Sequence, residues 1–78
     1  MRGYSQNIVE ANELADSLNI GVLLGRICIP QKYPVTSIAK ELGVSRQAVY
    51  DWFLGRTKPS EGRIVQIAVL IQSITAKP

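Results

Sequence analysis

The fold class that this sequence predicts is all-α, a small bundle of four or five helices. Three observations point there. Apolar residues recur three and four positions apart along most of the chain, the spacing of one helix face. Serine or asparagine stands ahead of several such runs, and glycine or proline follows them, as helix starts and stops require. The 78 residues are 46% hydrophobic and 19% charged, which is enough apolar material for one small globular core and too little charge for a disordered chain. A domain of this size buries only about 60–65% of its unfolded surface, so each packing contact matters.

In chain order, residues Met1 to Tyr4 are expected to form a loose terminus. Ser5 suits an N-cap, and Ile8, Ala11, Leu14, Ala15 and Leu18 follow at helical spacing. Glu10, Glu13 and Asp16 make this helix acidic on its outer side. Residues 1–18 therefore read as an arm or helix that packs on a second unit, residues 19–76. Asn19 suits a further cap, for a helix from Ile20 to about Ile29 carrying Val22, Leu23, Leu24, Ile27 and Cys28. One helix or two over residues 5–29 both fit the pattern. Gly21 and Gly25 leave a thin surface on which another helix can lie close. Pro30 disfavours a helical Ile29 and ends the element there. Gln31 to Pro34 is a polar connection.

Val35 to Leu54 carries the most information. Ile38, Ala39 and Leu42 share one helix face, and Gly43 follows where the chain must turn away in a left-handed conformation. Val44 can tuck beneath both helices, and Ser45 can cap the next one. Val49, Trp52 and Phe53 then form the buried face of that second helix, and small Ala39 permits a close crossing. Helices this short cannot stand alone and need others to complete a core.

Beyond Leu54, Gly55-Arg56-Thr57-Lys58-Pro59 reads as a loop, and Ser60 can cap a last helix from Glu61 to about Ile74. Its core stripe is expected to be Ile64, Ile67, Ala68, Ile71 and Ile74. Val65, Val69 and Leu70 lie beside or behind that stripe, so the helix is apolar around more of its surface than one core requires. The row of Val65 and Val69 either lies under the N-terminal helix, through Leu14 and Leu18, or meets a twofold copy in a homodimer with Leu70 alongside.

The joint spacing of Ala39, Gly43, Val44, Val49 and Trp52, with Gly55 and Pro59 after them, resembles the lambda-repressor-like (Cro and repressor type) helix-turn-helix family of phages and bacteria. The resemblance spans roughly Asn19 to Ile74. It departs from the family where Val35, preceded by Pro34, replaces the glutamine that often opens the first helix of the motif. What the resemblance implies is a sequence-specific, duplex-DNA-binding transcriptional regulator whose recognition helix, about 46–54, enters the major groove.

The residues themselves are compatible with that. With Val49 inward, Gln47 and Asp51 point most nearly outward, Tyr50 and Leu54 flank them, and Arg46 stands at the helix start. Gln47 can pair with adenine, and Arg46 with guanine or a phosphate. Asp51 can accept from cytosine N4 or pair with a nearby cation. The family's base-reading positions match Arg46, Gln47, Tyr50 and Asp51. Lys32, Ser45, Arg56, Thr57 and Lys58 are the candidates for phosphate contact, with Lys40 more naturally a solvated charge.

Charge distribution agrees. The whole chain carries +3, yet residues 1–16 set Arg2 against Glu10, Glu13 and Asp16, so the part holding the motif is more basic than the total suggests. With no histidine and one cysteine, Cys28, neither an internal disulfide nor a His/Cys zinc site can form. No nucleophile–base pair or phosphate-cradling glycine loop argues for an enzyme, and no metal, cofactor or small-molecule ligand is expected. No apolar stretch is long enough to span a membrane, and no signal-peptide core opens the chain, so a cytoplasmic protein is expected. A second class remains, a protein-interaction or nucleoprotein scaffold module on the same fold. Retained cations around the second helix favour DNA.

Overall fold

Three helices begin at a side chain that caps them, and the helix that follows Pro34 begins without one. The computed structural model describes residues 4–16 and 18–76, so the expected loose terminus, Met1 to Tyr4, lies outside the described residues except for Tyr4. Five helices follow in order: α1 Gln6–Leu14, α2 Ile20–Gln31, α3 Val35–Leu42, α4 Arg46–Phe53 and α5 Glu61–Thr75. Ser5, Asn19 and Ser45 accept from the main-chain N–H of Ile8, Gly21 and Ala48, which gives partners to donors that a helix start leaves free. Asn19 thus separates two helices. Ser60 holds the N-cap position of α5 in extended backbone, but its hydroxyl makes no capping bond.

The helix ends are equally specific. Gly43 (φ 68°) and Gly55 (φ 75°) adopt the left-handed conformation that closes α3 and α4. After α4 the closure is a Schellman pair, Gly55 N–H donating to Trp52 O and Arg56 N–H to Asp51 O. α2 ends differently from expectation. It runs past Pro30 to Gln31, and Lys32 takes the left-handed position (φ 56°). Main-chain bonds from Lys32 to Ile29 and from Tyr33 to Cys28 make the same closure. Pro30 disfavours helix at the preceding residue, but with this closure the helix runs two residues further, to Gln31.

α2 is the central helix, with α1, α4 and α5 around it, while α3 packs on α4 and α5. Leu24, Cys28, Ile38, Val49, Phe53 and Ile67 are completely enclosed, with Val35, Ala39, Leu42, Trp52, Leu70 and Ile74 around them. Burial of each large apolar side chain contributes about 1.5–3 kcal/mol. The thin surface of α2 is where α4 crosses. A Cβ on Gly21 would lie 2.6 Å from Trp52 Cβ, and one on Gly25 would lie 2.6 Å from Asn12 Nδ2 and 2.9 Å from Phe53 Cγ.

Two faces differ from the expected ones. In α1 the inward row is Ile8, Ala11, Asn12 and Ala15; Asn12 is buried, while Leu14 and Leu18 are exposed. Leu14 lies on the opposite side of the helix from Asn12, and Leu18 falls beyond the helix end. In α5 the buried row is Ile67, Leu70 and Ile74, and Ile64 and Ala68 are exposed. Leu70, expected at a dimer surface, is only 6% exposed and belongs to the core. Packing against α2 and α3 selects this row, and Arg63, one turn before it, donates to the carbonyl of Leu42 at the end of α3 and to Gln66 Oε1 at 2.9 Å.

Candidate nucleic-acid interface

Three features of the sequence give α4 its orientation. Val49, Trp52 and Phe53 bind it to the core, Ser45 fixes its start, and the left-handed Gly55 fixes its end. With that face inward, Arg46 and Gln47 are exposed on the first turn, and Asp51 lies one turn further along. Tyr50 and Leu54 are half-buried; Tyr50 packs against the core and so offers an edge rather than a projecting side chain.

One cluster ties three of the expected residues together. Gln47 Nε2 donates to Asp51 Oδ1 at 3.0 Å, and Arg56 Nη1 lies 3.6 Å from the same oxygen. Main chain holds this arrangement, because the Arg56 N–H donates to Asp51 O at 2.9 Å in the Schellman closure. Among the described residues Asp51 has a cation partner, one of the two roles left open for it.

The other candidates are spread over α2, α3 and the two ends of α4. Thr57 and Lys58 are exposed on the loop that leaves α4, while Pro59 turns inward. Lys32 is exposed at the left-handed end of α2, and Lys40 on the outer side of α3. The Ser45 hydroxyl oxygen is occupied as a cap acceptor, which leaves its proton for another partner. Val35, at the position where a glutamine would touch phosphate, is buried in the core. Two further cations are committed to the fold. Arg63 caps α3, and Arg26 Nη2 donates to the carbonyls of Glu13 at 2.7 Å and Ala15 at 2.9 Å, at the end of α1. Positive charge there complements the helix dipole and satisfies carbonyls that the helix leaves free.

Asn12 is the residue that spacing alone missed. Its Nδ2 donates to Phe53 O at 2.8 Å and to Val22 O at 3.1 Å. Phe53 is the last residue of α4, so its carbonyl has no partner within the helix. Tyr4 reinforces the same contact. Its ring sits 5.9 Å from that of Phe53, and its hydroxyl donates to Tyr33 O beside Lys32. The position of Asn12, four after Ile8, was a signal for burial; its polarity hid it.

Among the described residues no cluster of His, Cys, Asp and Glu is placed to hold a metal ion, and no helix is long and apolar enough to cross a membrane. A helix-turn-helix family model matches residues 25–75, which takes in most of α2 and all of α3, α4 and α5. Nothing among the curated proteins or the solved structures matches the chain. The matched span leaves α1 outside it.

Proposed function

The chain belongs to the lambda-repressor-like helix-turn-helix family, and from that premise we propose that it is a sequence-specific regulator of the repressor or Cro type that reads duplex DNA with α4. The observation that carries the reading is the exposed first turn of α4, with Arg46 and Gln47 side by side and Arg56, Thr57 and Lys58 beyond its far end. An N-terminal outer face of this kind reaches base edges in the major groove. Cations at the border neutralise phosphates and fix the register.

In this reading Arg46 and Gln47 contact bases, with Tyr50 at the edge, and Lys32, Ser45, Arg56, Thr57 and Lys58 contact the backbone. The protein acts as a homodimer through the outer side of α5. Val65 and Val69 are 65% and 60% exposed there, and Gly62, Ala68, Gln72, Ser73 and Ala76 extend the same surface, which Glu61 and Glu41 border. The N-terminal helix does not cover it, since α1 packs on α2 and Leu14 is itself exposed. Twofold pairing suits a palindromic site with two α4 helices about 34 Å apart.

Selection of bound sequences from a random duplex pool tests the proposal. An enriched palindrome is the expected result. Retention of no sequence above background would refute it and favour a scaffold that uses the same fold to bind protein.

A further inference from the structure

We infer that Asp51 is a positioning residue, which orients the amide of Gln47 for adenine, and not a base reader itself. The inference rests on the DNA-reading role proposed above and assigns a specificity-determining part within it.

The chemistry begins with what each group can offer. A carboxylate only accepts, whereas a glutamine amide has two N–H groups and one acceptor oxygen. With Gln47 Nε2 at 3.0 Å from Asp51 Oδ1, the nitrogen end of the amide must face the carboxylate. A flipped amide would set two oxygens against each other. One N–H is thereby taken up, and a single N–H and the Oε1 atom remain for a base. That donor–acceptor pair matches N7 and N6 of adenine. Guanine offers two acceptors, N7 and O6, and an amide with one free N–H cannot serve both.

Arg56 explains how a carboxylate stands beside phosphates. Its guanidinium lies 3.6 Å from Asp51 Oδ1, and its main-chain N–H is held by Asp51 O at 2.9 Å. The turn at Gly55 keeps the two residues together whichever rotamers they adopt. Arg56 side-chain exposure of 65% leaves further N–H groups for a phosphate oxygen. An ion pair this exposed adds little to stability, so the cluster's effect lies in orientation. Both partners converge on one oxygen of Asp51, Oδ1, so a single carboxylate atom fixes the Gln47 amide and the Arg56 guanidinium together.

The experiment compares base preference at the position read by Gln47, identified as the base pair where Gln47→Ala loses discrimination. Affinities for adenine and guanine variants of the selected site are measured for wild type, Asp51→Ala, Asp51→Asn, Gln47→Ala and the double alanine variant. Asp51→Ala should lower the adenine-over-guanine preference by about tenfold, within the range of one bidentate contact. Asp51→Asn should restore most of it, because its Oδ1 can still accept from Gln47. The double variant should lose no more at that base pair than Gln47→Ala alone. Loss at a second base pair, additive with Gln47→Ala, would make Asp51 a base reader and overturn the inference. Equal loss on every sequence with a lowered melting temperature would make its role structural and overturn it too. If wild type selects no sequence, the DNA-reading proposal itself fails, and this inference with it.

Discussion

Gln47 and Lys58 occupy the same surface with different chemistry, so their loss should be felt differently. In the proposed reading Gln47→Ala removes a base contact, so it should cost about 1–3 kcal/mol on the preferred site, with much less on random DNA. Lys58→Ala should weaken both equally and make the salt dependence shallower by about one unit of slope. Matching patterns in binding titrations would mean the two roles are misassigned. Cys28 illustrates a buried group with no such role. Burial pushes its thiol from 9.0 up to about 12, so the native state keeps a proton that the unfolded chain has lost. Its contribution is therefore complete below pH 9 and fades as pH rises towards 12. A thiol reagent at pH 8 should react only after denaturant is added, and the urea midpoint should fall across that alkaline window less steeply in Cys28→Ala. Rapid labelling of the native protein would contradict the burial. Roles set by local chain geometry were legible at this scale: Ser5, Asn19 and Ser45 cap, and Gly43 turns. Roles of Asn12, Arg26 and Arg63 were not, because each side chain meets main-chain carbonyls that only tertiary packing brings within reach.

At the scale of helices, periodicity located each element and left its rotation open wherever apolar residues surround the axis. α3 and α4 have one clear apolar face, and Ile38, Ala39, Leu42, Val49, Trp52 and Phe53 are all buried as expected. α5 offers two overlapping stripes, and the packing against α2 and α3 decides between them. The end of α2 was obscured because a left-handed lysine is rarer than a left-handed glycine. α1 was legible as a helix but not in its task, which is to bring one amide to the end of α4. Asn12→Ala would leave the carbonyl of Phe53 without that partner in a buried place and open a gap beside Gly25. The expected cost is about 1–3 kcal/mol. In a domain of this size that lowers the melting temperature by roughly 4–8 °C per kcal/mol. Thermal melts by circular dichroism measure it. An unchanged melting temperature would mean that water replaces the amide without loss and that α1 does not clasp α4.

For the whole molecule, the proposed homodimer sets how DNA binding should respond to salt. About four phosphates neutralised per protomer give a slope of log K against log[salt] near −3 to −4 on a half-site, and about twice that for a dimer on a full site. The proposed backbone contacts supply three exposed cations, Lys32, Arg56 and Lys58, and exposed Lys40 would make a fourth, while Arg46 is assigned to bases and Arg26 and Arg63 are consumed within the fold. The doubling depends on the outer side of α5, where Val65 and Val69 stand open next to a groove bounded by Glu41 and Leu42 of α3. Val69→Glu separates association from folding. Since Val69 is already 60% exposed, the charge enters no core, and helicity and melting temperature of the protomer should be retained. Across a twofold axis the same change sets two carboxylates near each other on an apolar surface. Sedimentation should then show the mass halved, and affinity for a full operator should fall towards that for a half-site, with the salt slope halving in step. A variant that remains folded at unchanged dimer mass would put the interface elsewhere. A wild type that is monomeric both free and on its selected DNA would remove the dimer from the proposal while leaving the reading of bases by α4 intact.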